Sequence, residues 1–230
     1  MSIVVPVRPR KCRADKSVRP GWPWLLTLAF GIGAVDVGHA TTKGLSQIVT
    51  PDLQPVDELS ISAQVQARAI GNPWQAQFEL GLTPRFEVAL FQGFSPGEQV
   101  LGTEIGLVQR GPWLLSTGFV NWSLGHGSPQ PLLEGGYYLE HDKFIAGALR
   151  AGAQSQALLG WAHDFNAVWR VQVDYQSGSA NYLTAGFTWT PSDRWQVNPA
   201  LYLANDHTHT RLGYLVATYT IKVRSRQVRE

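Results

Sequence analysis

The residues with catalytic potential are a few histidines and serines and one aspartate, scattered along the chain. They are His126, Ser128, Ser155, His163, Asp164, His207 and His209. A hydrolase needs a nucleophile and a general base within hydrogen-bond distance of each other. In His207-Thr208-His209 two imidazoles share one side of an extended segment, which would bind a metal only weakly without a third ligand. Whether any of these residues meet depends on the elements that carry them.

The composition excludes several classes of protein. Of its 230 residues 44% are apolar and only 16% are charged, whereas ordinary soluble domains have about 25% charged residues. The sequence contains no run of about 20 apolar residues, so a helical membrane protein is not expected. Its single cysteine, Cys12, excludes a disulfide scaffold and a cysteine-ligated metal site.

Residues 1–40 have the pattern of a cleaved secretory signal. Six basic residues precede an apolar run from Trp24 to Val35, and Gly38-His39-Ala40 supplies small residues for cleavage. An uncleaved anchor is the alternative. Cleavage would remove six basic and two acidic residues and change the net charge from +2 to −2, so basicity does not argue for a nucleic-acid partner.

Residues 41–57 contain Pro51 and Pro55 and have no periodicity. We predict an N-terminal periplasmic linker here, with folding inward as a partial plug as the alternative. From Glu58 onward apolar and polar residues alternate, and a period of two indicates strands with one apolar and one polar face. The pattern predicts twelve strands, near the length that crosses a membrane: 58–70, 74–83, 86–93, 100–110, 113–123, 131–140, 143–152, 156–164, 168–177, 181–190, 195–204 and 211–223.

The predicted fold is all-β, a single antiparallel up-and-down transmembrane β-barrel over residues 58–223, with a C-terminal tail at 224–230. Closure matters because lipid offers no hydrogen bonds to an open sheet edge. A soluble all-β protein is the alternative. Against it, the face formed by Trp169, Val171, Val173 and Tyr175 is apolar along its whole length.

The predicted turns fall into two classes, tight turns and longer loops, and each class lies at one end of the predicted barrel. Five tight turns lie near residues 84, 111, 141, 165 and 192, and a hairpin recurs about every 27 residues. An aromatic residue follows each tight turn: Phe86, Trp113, Phe144, Trp169 and Trp195. Longer polar loops are predicted at 93–99, 124–130, 177–180 and 205–210. This asymmetry is typical of bacterial outer-membrane barrels, whose short turns are periplasmic, so the aromatics are expected at the periplasmic membrane interface.

Two segments resemble those of known barrels. Phe78–Val88, with the sequence FELGLTPRFEV, and Asp174–Gly178, with the sequence DYQSG, resemble segments of bacterial outer-membrane β-barrels of the small-channel type, grouped with the MetA-pathway phenol-degradation-like proteins. The resemblance implies a barrel that admits small, often apolar molecules. Such barrels commonly end in a Phe or Trp that the barrel-assembly machinery reads, whereas here residues 224–230 follow the last predicted strand.

If the apolar face meets lipid, the polar face lines a lumen. The charged residues predicted for this lumen are Arg68, Glu79, Glu87, Glu104, Glu134, Arg150, Arg170 and Asp174. Because rings of charge set selectivity in pores, we expect a narrow water-filled passage with a mixed-charge constriction at mid-height. A lumen plugged by its own Arg–carboxylate pairs is the alternative.

The sequence therefore predicts an outer-membrane barrel that acts as a passive channel or uptake barrel for small molecules. Its expected partners are outer-membrane lipid, a small solute and the barrel-assembly machinery, with no cofactor or metal and an open oligomeric state. The alternatives are a non-conducting structural barrel and an outer-membrane lipid-modifying enzyme. An enzyme is disfavoured because His163 and Asp164 fall at the short-turn end, while Ser155 and His126 fall at the opposite end.

Overall fold

The computed structural model describes residues 44–123, 128–206, 208 and 210–223. The predicted signal at 1–40, the tail at 224–230 and three histidines, His126, His207 and His209, lie outside the described residues. Within the described part of the chain, no helix is long and apolar enough to cross a membrane.

Twelve β-strands form the wall of the structure. They are β1 (Glu58–Gln66), β2 (Trp74–Thr83), β3 (Phe86–Phe94), β4 (Gly97–Arg110), β5 (Trp113–Ser123), β6 (Gln130–Tyr138), β7 (Asp142–Ala151), β8 (Gln154–Asp164), β9 (Trp169–Gln176), β10 (Tyr182–Ser192), β11 (Trp195–Ala204) and β12 (Arg211–Lys222). Each strand pairs antiparallel with its neighbours in sequence, and β1 pairs with β12 to close the barrel. The predicted twelve-stranded up-and-down barrel is therefore confirmed.

The two faces of the barrel wall differ in polarity because successive side chains of a strand point to opposite faces. On β9, Gln172, Asp174 and Gln176 are buried in the interior, while Trp169 and Val173 are exposed on the outside. The closed ladder pairs both edges of every strand, which is the arrangement that a hydrocarbon environment requires. The predicted partition into a polar inner face and an apolar outer face holds for this strand in full.

The start of β1 and the end of β12 lie at the same end of the barrel, because the strand number is even. Glu58 at the start of β1 faces Lys222 at the end of β12. We call this the short-turn end, because the connections after β2, β4 and β10 contain two residues each. At the opposite end, the connections after β1, β5 and β11 are longer.

The connection between β3 and β4 differs from the predicted loop at 93–99. The ladder continues through Gly93 opposite Glu98 and Phe94 opposite Gly97, which leaves a two-residue turn. Strand β1, in contrast, ends at Gln66 and not at residue 70. Backbone pairing thus extends through polar and glycine residues that composition alone marks as a loop.

The predicted ring of aromatic residues surrounds the short-turn end of the barrel. Its members lie on the outer face at or near the starts of the odd-numbered strands: Phe86, Trp113, Phe144, Trp169 and Trp195. Neighbouring strands contribute further rings, because Trp113 lies 4.6 Å from Tyr137 and Trp195 lies 4.9 Å from Tyr219, measured between ring centroids. Pairs of aromatic rings therefore extend the predicted ring on the outside of the barrel at these two places.

Candidate functional site in the barrel interior

Residues 44–54 lie inside the barrel, whereas Pro55 and Val56 are exposed where the chain leads into β1. We call residues 44–57 the inner segment. Ser46, Gln47, Ile48 and Thr50 are each at most 3% exposed. The structure therefore differs from the external linker that the sequence predicted and agrees with the alternative of an inward-folded segment. The reason is that the barrel wall supplies hydrogen-bond partners and apolar contacts that the aperiodic sequence of the segment does not reveal.

Asp174 on β9 anchors the N-terminal part of the inner segment. Its carboxylate accepts hydrogen bonds from the backbone N–H of Ser46 at 2.7 Å and of Gln47 at 3.2 Å. The Tyr202 hydroxyl donates to the Ser46 carbonyl, and the Gln172 amide donates to the Ser46 hydroxyl at 3.0 Å. Because a buried carboxylate is costly without donors, the segment and the wall stabilise each other here.

A second group of contacts holds the C-terminal part of the inner segment. The Glu87 carboxylate on β3 accepts a hydrogen bond from the Gln54 backbone N–H at 2.5 Å. Asp52 accepts a hydrogen bond from the Tyr138 hydroxyl at 2.6 Å, and its other oxygen lies 3.8 Å from Lys143 Nζ. Hydrogen bonds to a charged acceptor are among the stronger ones in proteins, so the segment is fixed at two places along the lumen.

Two apolar clusters occupy parts of the interior that the strand alternation predicts to be polar. Leu45 and Ile48 of the inner segment pack against the walls of β6, β7 and β8 through Leu132, Ile145, Leu149, Leu158 and Ala162. The other cluster consists of Ile70, Tyr182, Ala200, Tyr202, Tyr214 and Val216. Burying one large aliphatic side chain contributes about 1.5–3 kcal/mol, so Leu45 and Ile48 add to the hold on the segment. In the sequence, the imperfect alternation of β7 is the feature that indicates an apolar inner wall.

Glycines in the wall make room for the inner segment. A Cβ atom on Gly81 of β2 would lie 2.2 Å from the Pro55 carbonyl oxygen, and one on Gly160 of β8 would lie 2.5 Å from Leu45 Cδ1. Three more glycines approach the segment in the same way: Gly106, Gly136 and Gly186. Since close packing leaves few voids in a protein interior, the missing side chains define the space that the segment fills.

Five of the predicted pore-lining residues are carboxylates on the inner wall, each at most 3% exposed: Glu79, Glu87, Glu104, Glu134 and Asp174. Among the described residues, these five are the buried charged side chains, and none of them is basic. The charged side chains that are fully buried among the described residues are therefore acidic.

The three predicted arginines are not among these buried residues. Arg170 reaches the lumen only at the short-turn end, where Asp164 accepts hydrogen bonds from its guanidinium at 2.6 and 3.1 Å. Arg150 is exposed, because β7 turns its neighbour Leu149 inward. Arg68 is exposed beyond the end of β1. The structure thus corrects the placement of Arg68 and Arg150 in the lumen.

The space left inside the barrel is divided into separate cavities. One of about 300 Å³ lies near the short-turn end and is lined by Asp52, Gln54, Lys143 and Arg170 together with residues of β1, β10, β11 and β12. Two others have volumes of about 30 and 20 Å³, and the smaller is lined by Glu79, Glu87 and Glu104. Cavities of that size hold one or two water molecules. The inner segment contributes to the lining of all three cavities.

The described side chains with catalytic potential are not brought together. His163 Nδ1 lies 3.0 Å from Asp142 Oδ1, and Asp164 binds Arg170, both at the short-turn end. Ser155 lies at the start of β8, at the opposite end of the barrel. Among the residues that the structure describes, no group of three or more His, Cys, Asp or Glu side chains could hold a metal ion.

One serine lies in a spacing that is known from hydrolases. Gly93-Phe94-Ser95-Pro96-Gly97 has the Gly-x-Ser-x-Gly spacing of a hydrolase nucleophile elbow, in which the serine lies between a strand and a helix. Here Ser95 lies in the two-residue turn between β3 and β4. Its hydroxyl accepts a 3.5 Å hydrogen bond from Arg68, and its backbone N–H donates to the Asn72 side chain. The Gly-x-Ser-x-Gly segment therefore forms a β-hairpin turn here and not the strand-to-helix turn of a hydrolase.

The fold is similar to that of solved porins. A structure of the KdgM porin in complex with disordered oligogalacturonate matches with a TM-score of 0.52 and 8% sequence identity, over 70% of this chain and 98% of that chain. This chain has a porin-like fold. A second KdgM porin structure matches with a TM-score of 0.52 and 7% identity over the same shares of both chains. No protein-family model and no curated protein matches the sequence. The porin-like wall and its inner segment together form the candidate site.

Proposed function

We propose that this protein is a bacterial outer-membrane barrel that acts as a passive channel or uptake barrel for small polar solutes. One observation carries the proposal: a closed twelve-stranded barrel has an apolar outer face and an inner face with many buried polar and charged side chains. Such a wall is suited to lipid on one side and to water or solute on the other. The likeness to the KdgM porin fold and the predicted secretory signal support the same location.

The inner segment represents the closed form of this channel. It binds the wall through Asp174 and Glu87 and fills the space beside five wall glycines. A passage through the barrel would require the segment to leave part of the lumen. The segment precedes β1 in the chain and lies close to the predicted cleavage site after Ala40, so its first residues would be near a chain end after processing.

A non-conducting structural barrel is the second candidate, and the same segment favours it. The contacts of Leu45, Ser46, Ile48 and Gln54 with the wall are numerous and buried, so the segment could be a permanent part of the core. The sequence resemblance to the MetA-pathway phenol-degradation-like barrels suggests a barrel group for this chain and a class of molecules that it admits. Both stay predictions.

The test compares the conductance of the full chain with that of variants whose inner segment is displaced. Gly160→Leu places a side chain where Leu45 and Ile48 lie, and deletion of residues 44–54 removes the part of the segment that lies inside the barrel. Gly213→Leu is the matched control, because a Cβ at Gly213 meets nothing within 4 Å. Each purified protein is first checked for the gel shift between unheated and boiled samples that marks a folded barrel, and is then added to a planar lipid bilayer.

We expect larger or more frequent current steps from Gly160→Leu and from the deletion than from the wild type or Gly213→Leu. Folded barrels that give no current steps in any of these forms would contradict the channel and favour the structural barrel. Steps of equal size and frequency in all forms would contradict the role of the inner segment while keeping the channel.

A further inference from the structure

The cavity of about 300 Å³ near the short-turn end is built mostly from polar side chains, and we call it the short-turn cavity. Its volume is at the lower end of the range for small-molecule sites, which begins at about 300 Å³. Resting on the proposed channel function, which gives solutes access to the lumen, we propose that this cavity binds one neutral polyhydroxylated molecule of the size of a monosaccharide. Its lining includes these hydroxyl and amide side chains: Gln54, Ser60, Gln196, Asn198, Thr218 and Thr220.

The short-turn cavity lies between the barrel wall and the inner segment. Gln54 of the inner segment contributes to one side of it. On the wall, Gln196 of β11 is the register partner of Thr218, and Thr220 of β12 is the register partner of Ser60. Side chains in register on neighbouring strands lie close together, so these groups form one polar patch. Because the inner segment helps to line the cavity, a solute can bind there without an open passage.

A pair of hydroxyl groups on this patch has a proton to donate. Ser60 Oγ lies 3.1 Å from Thr220 Oγ1 and accepts a hydrogen bond from Gln54 Nε2 at 2.9 Å. A hydrogen bond between two hydroxyl groups uses one of their two protons. The second proton has no acceptor among the described residues. The pair can therefore donate to an oxygen of a bound solute.

Two amide side chains add acceptors and further donors. Asn198 Nδ2 donates to the Leu45 carbonyl at 2.9 Å, which fixes the orientation of the amide. Its Oδ1 atom is buried without a hydrogen-bond partner among the described residues, and buried acceptors normally have a donor. The Gln196 side chain is exposed on the cavity lining. Since a hydroxyl group both donates and accepts, a polyhydroxylated solute matches this mixture of groups.

The basic side chains of the lining are already paired and do not favour an anion. Lys143 Nζ lies 3.8 Å from an Asp52 carboxylate oxygen, and Arg170 binds Asp164 at two points, 2.6 and 3.1 Å. An anionic solute would have to displace a carboxylate from either base. It would also approach the two other carboxylates of the lining, Glu58 and Asp193. The charges therefore favour a neutral solute over an anionic one.

The test measures binding of glucose, as the neutral probe, and of glucuronate, as its anionic counterpart, to the folded full chain. Saturation-transfer difference NMR gives the dissociation constants, in a zwitterionic detergent that has no sugar headgroup. The double variant Gln196→Leu and Thr220→Val removes an amide and a hydroxyl group from the lining. The matched control is Gln99→Leu with Thr210→Val, because both side chains are exposed towards the opposite end. Thr210 Oγ1 also lies 2.8 Å from another hydroxyl group, that of Thr208.

We expect glucose to bind the wild type and the control equally, and the double variant several-fold more weakly. Glucuronate should bind the wild type more weakly than glucose does. Absence of saturation transfer to glucose from the folded wild type, an affinity that the double variant leaves unchanged, or tighter binding of glucuronate would each overturn the proposed site.

Should the double variant fail the gel-shift check, Gln196→Leu alone carries the same test, because this exposed side chain has no hydrogen-bond partner among the described residues. The binding measurement needs no current. Failure of the channel in planar bilayers and failure of the cavity to bind glucose are therefore separate results.

Discussion

The Asp174 carboxylate and the Ser46 backbone N–H are joined by a 2.7 Å hydrogen bond across 128 positions of the sequence. Both residues are at most 1% exposed. The bond connects the middle of the barrel wall to a segment that precedes the first strand. The bond holds the inner segment inside the lumen. The proposed channel function depends on whether the segment can leave the lumen.

Replacement of Asp174 by Ala is expected to loosen the inner segment. The substitution leaves the N–H groups of Ser46 and Gln47 without their acceptor, and an unsatisfied buried donor costs about 1–3 kcal/mol. Hydrogen–deuterium exchange of residues 44–48 should therefore become faster in Asp174→Ala. Glu140→Ala serves as the control and should exchange like the wild type. Equal protection of residues 44–48 in all three proteins would show that Asp174 does not anchor the segment.

Replacement of Gly81 by Ala is expected to destabilise the folded barrel or to push the inner segment away from β2. The new Cβ would lie 2.2 Å from the Pro55 carbonyl oxygen, a backbone atom that cannot rotate away. Overpacking of this kind costs about 1–3 kcal/mol. The temperature at which the gel shift is lost should fall in Gly81→Ala and stay unchanged in Gly97→Ala, where a Cβ meets nothing within 4 Å. Equal temperatures for both variants would contradict the packing described here.

An arginine on the outer face tests the membrane directly. Leu159 lies at the middle of β8 and is 52% exposed on the outside. Leu159→Arg should cost about 2–4 kcal/mol of folding free energy in lipid vesicles if this level is the bilayer centre, against about 0–1 kcal/mol for an arginine near the interface. Leu139→Arg, in the turn after β6, provides that second case. Urea unfolding in vesicles measures both, and equal stability of the two variants would indicate a barrel that is not surrounded by lipid.

Two buried serines are expected to respond differently to the same substitution. Ser62 Oγ lies 2.7 Å from Thr218 Oγ1, so Ser62→Ala should lower the free energy of unfolding by about 0.5–1.5 kcal/mol or more. Ser116 Oγ has no hydrogen-bond partner among the described residues, so Ser116→Ala should be neutral or stabilising. Urea unfolding of both variants decides this, and an equal loss of stability would mean that Ser116 has a bound partner in the folded protein.

Much of the wall could be predicted from local pattern. The alternation of Gln172 and Asp174 with Val171 and Val173 fixes which side chains share a face, because the period of a strand is two. Because this alternation recurs in twelve segments, the sequence indicated a barrel with an even number of strands. The aromatic residues after the tight turns marked one end of that barrel. These are properties of short stretches of chain, so no distant contact is needed to recognise them.

Placement on a given face was less predictable where alternation is weak. Arg150 was assigned to the lumen, although β7 directs Leu149 inward and so exposes Arg150. The apolar inner wall at Leu149 exists because Leu45 and Ile48 pack there, and those two residues lie more than 90 positions earlier in the sequence. A local pattern cannot show that an inner wall is apolar when its partner is so remote.

By itself, the sequence determined the barrel, its strand number, and the polar and apolar sides of strands such as β9, because local sterics and side-chain alternation decide these features. Only the tertiary structure decided that residues 44–54 enter the lumen, that Gly81 and Gly160 leave room for the inner segment, and that Asp174 and Glu87 bind its backbone. The physical reason is that the segment has no periodicity of its own. Its position follows from hydrogen bonds and packing with strands that become neighbours only after the barrel closes.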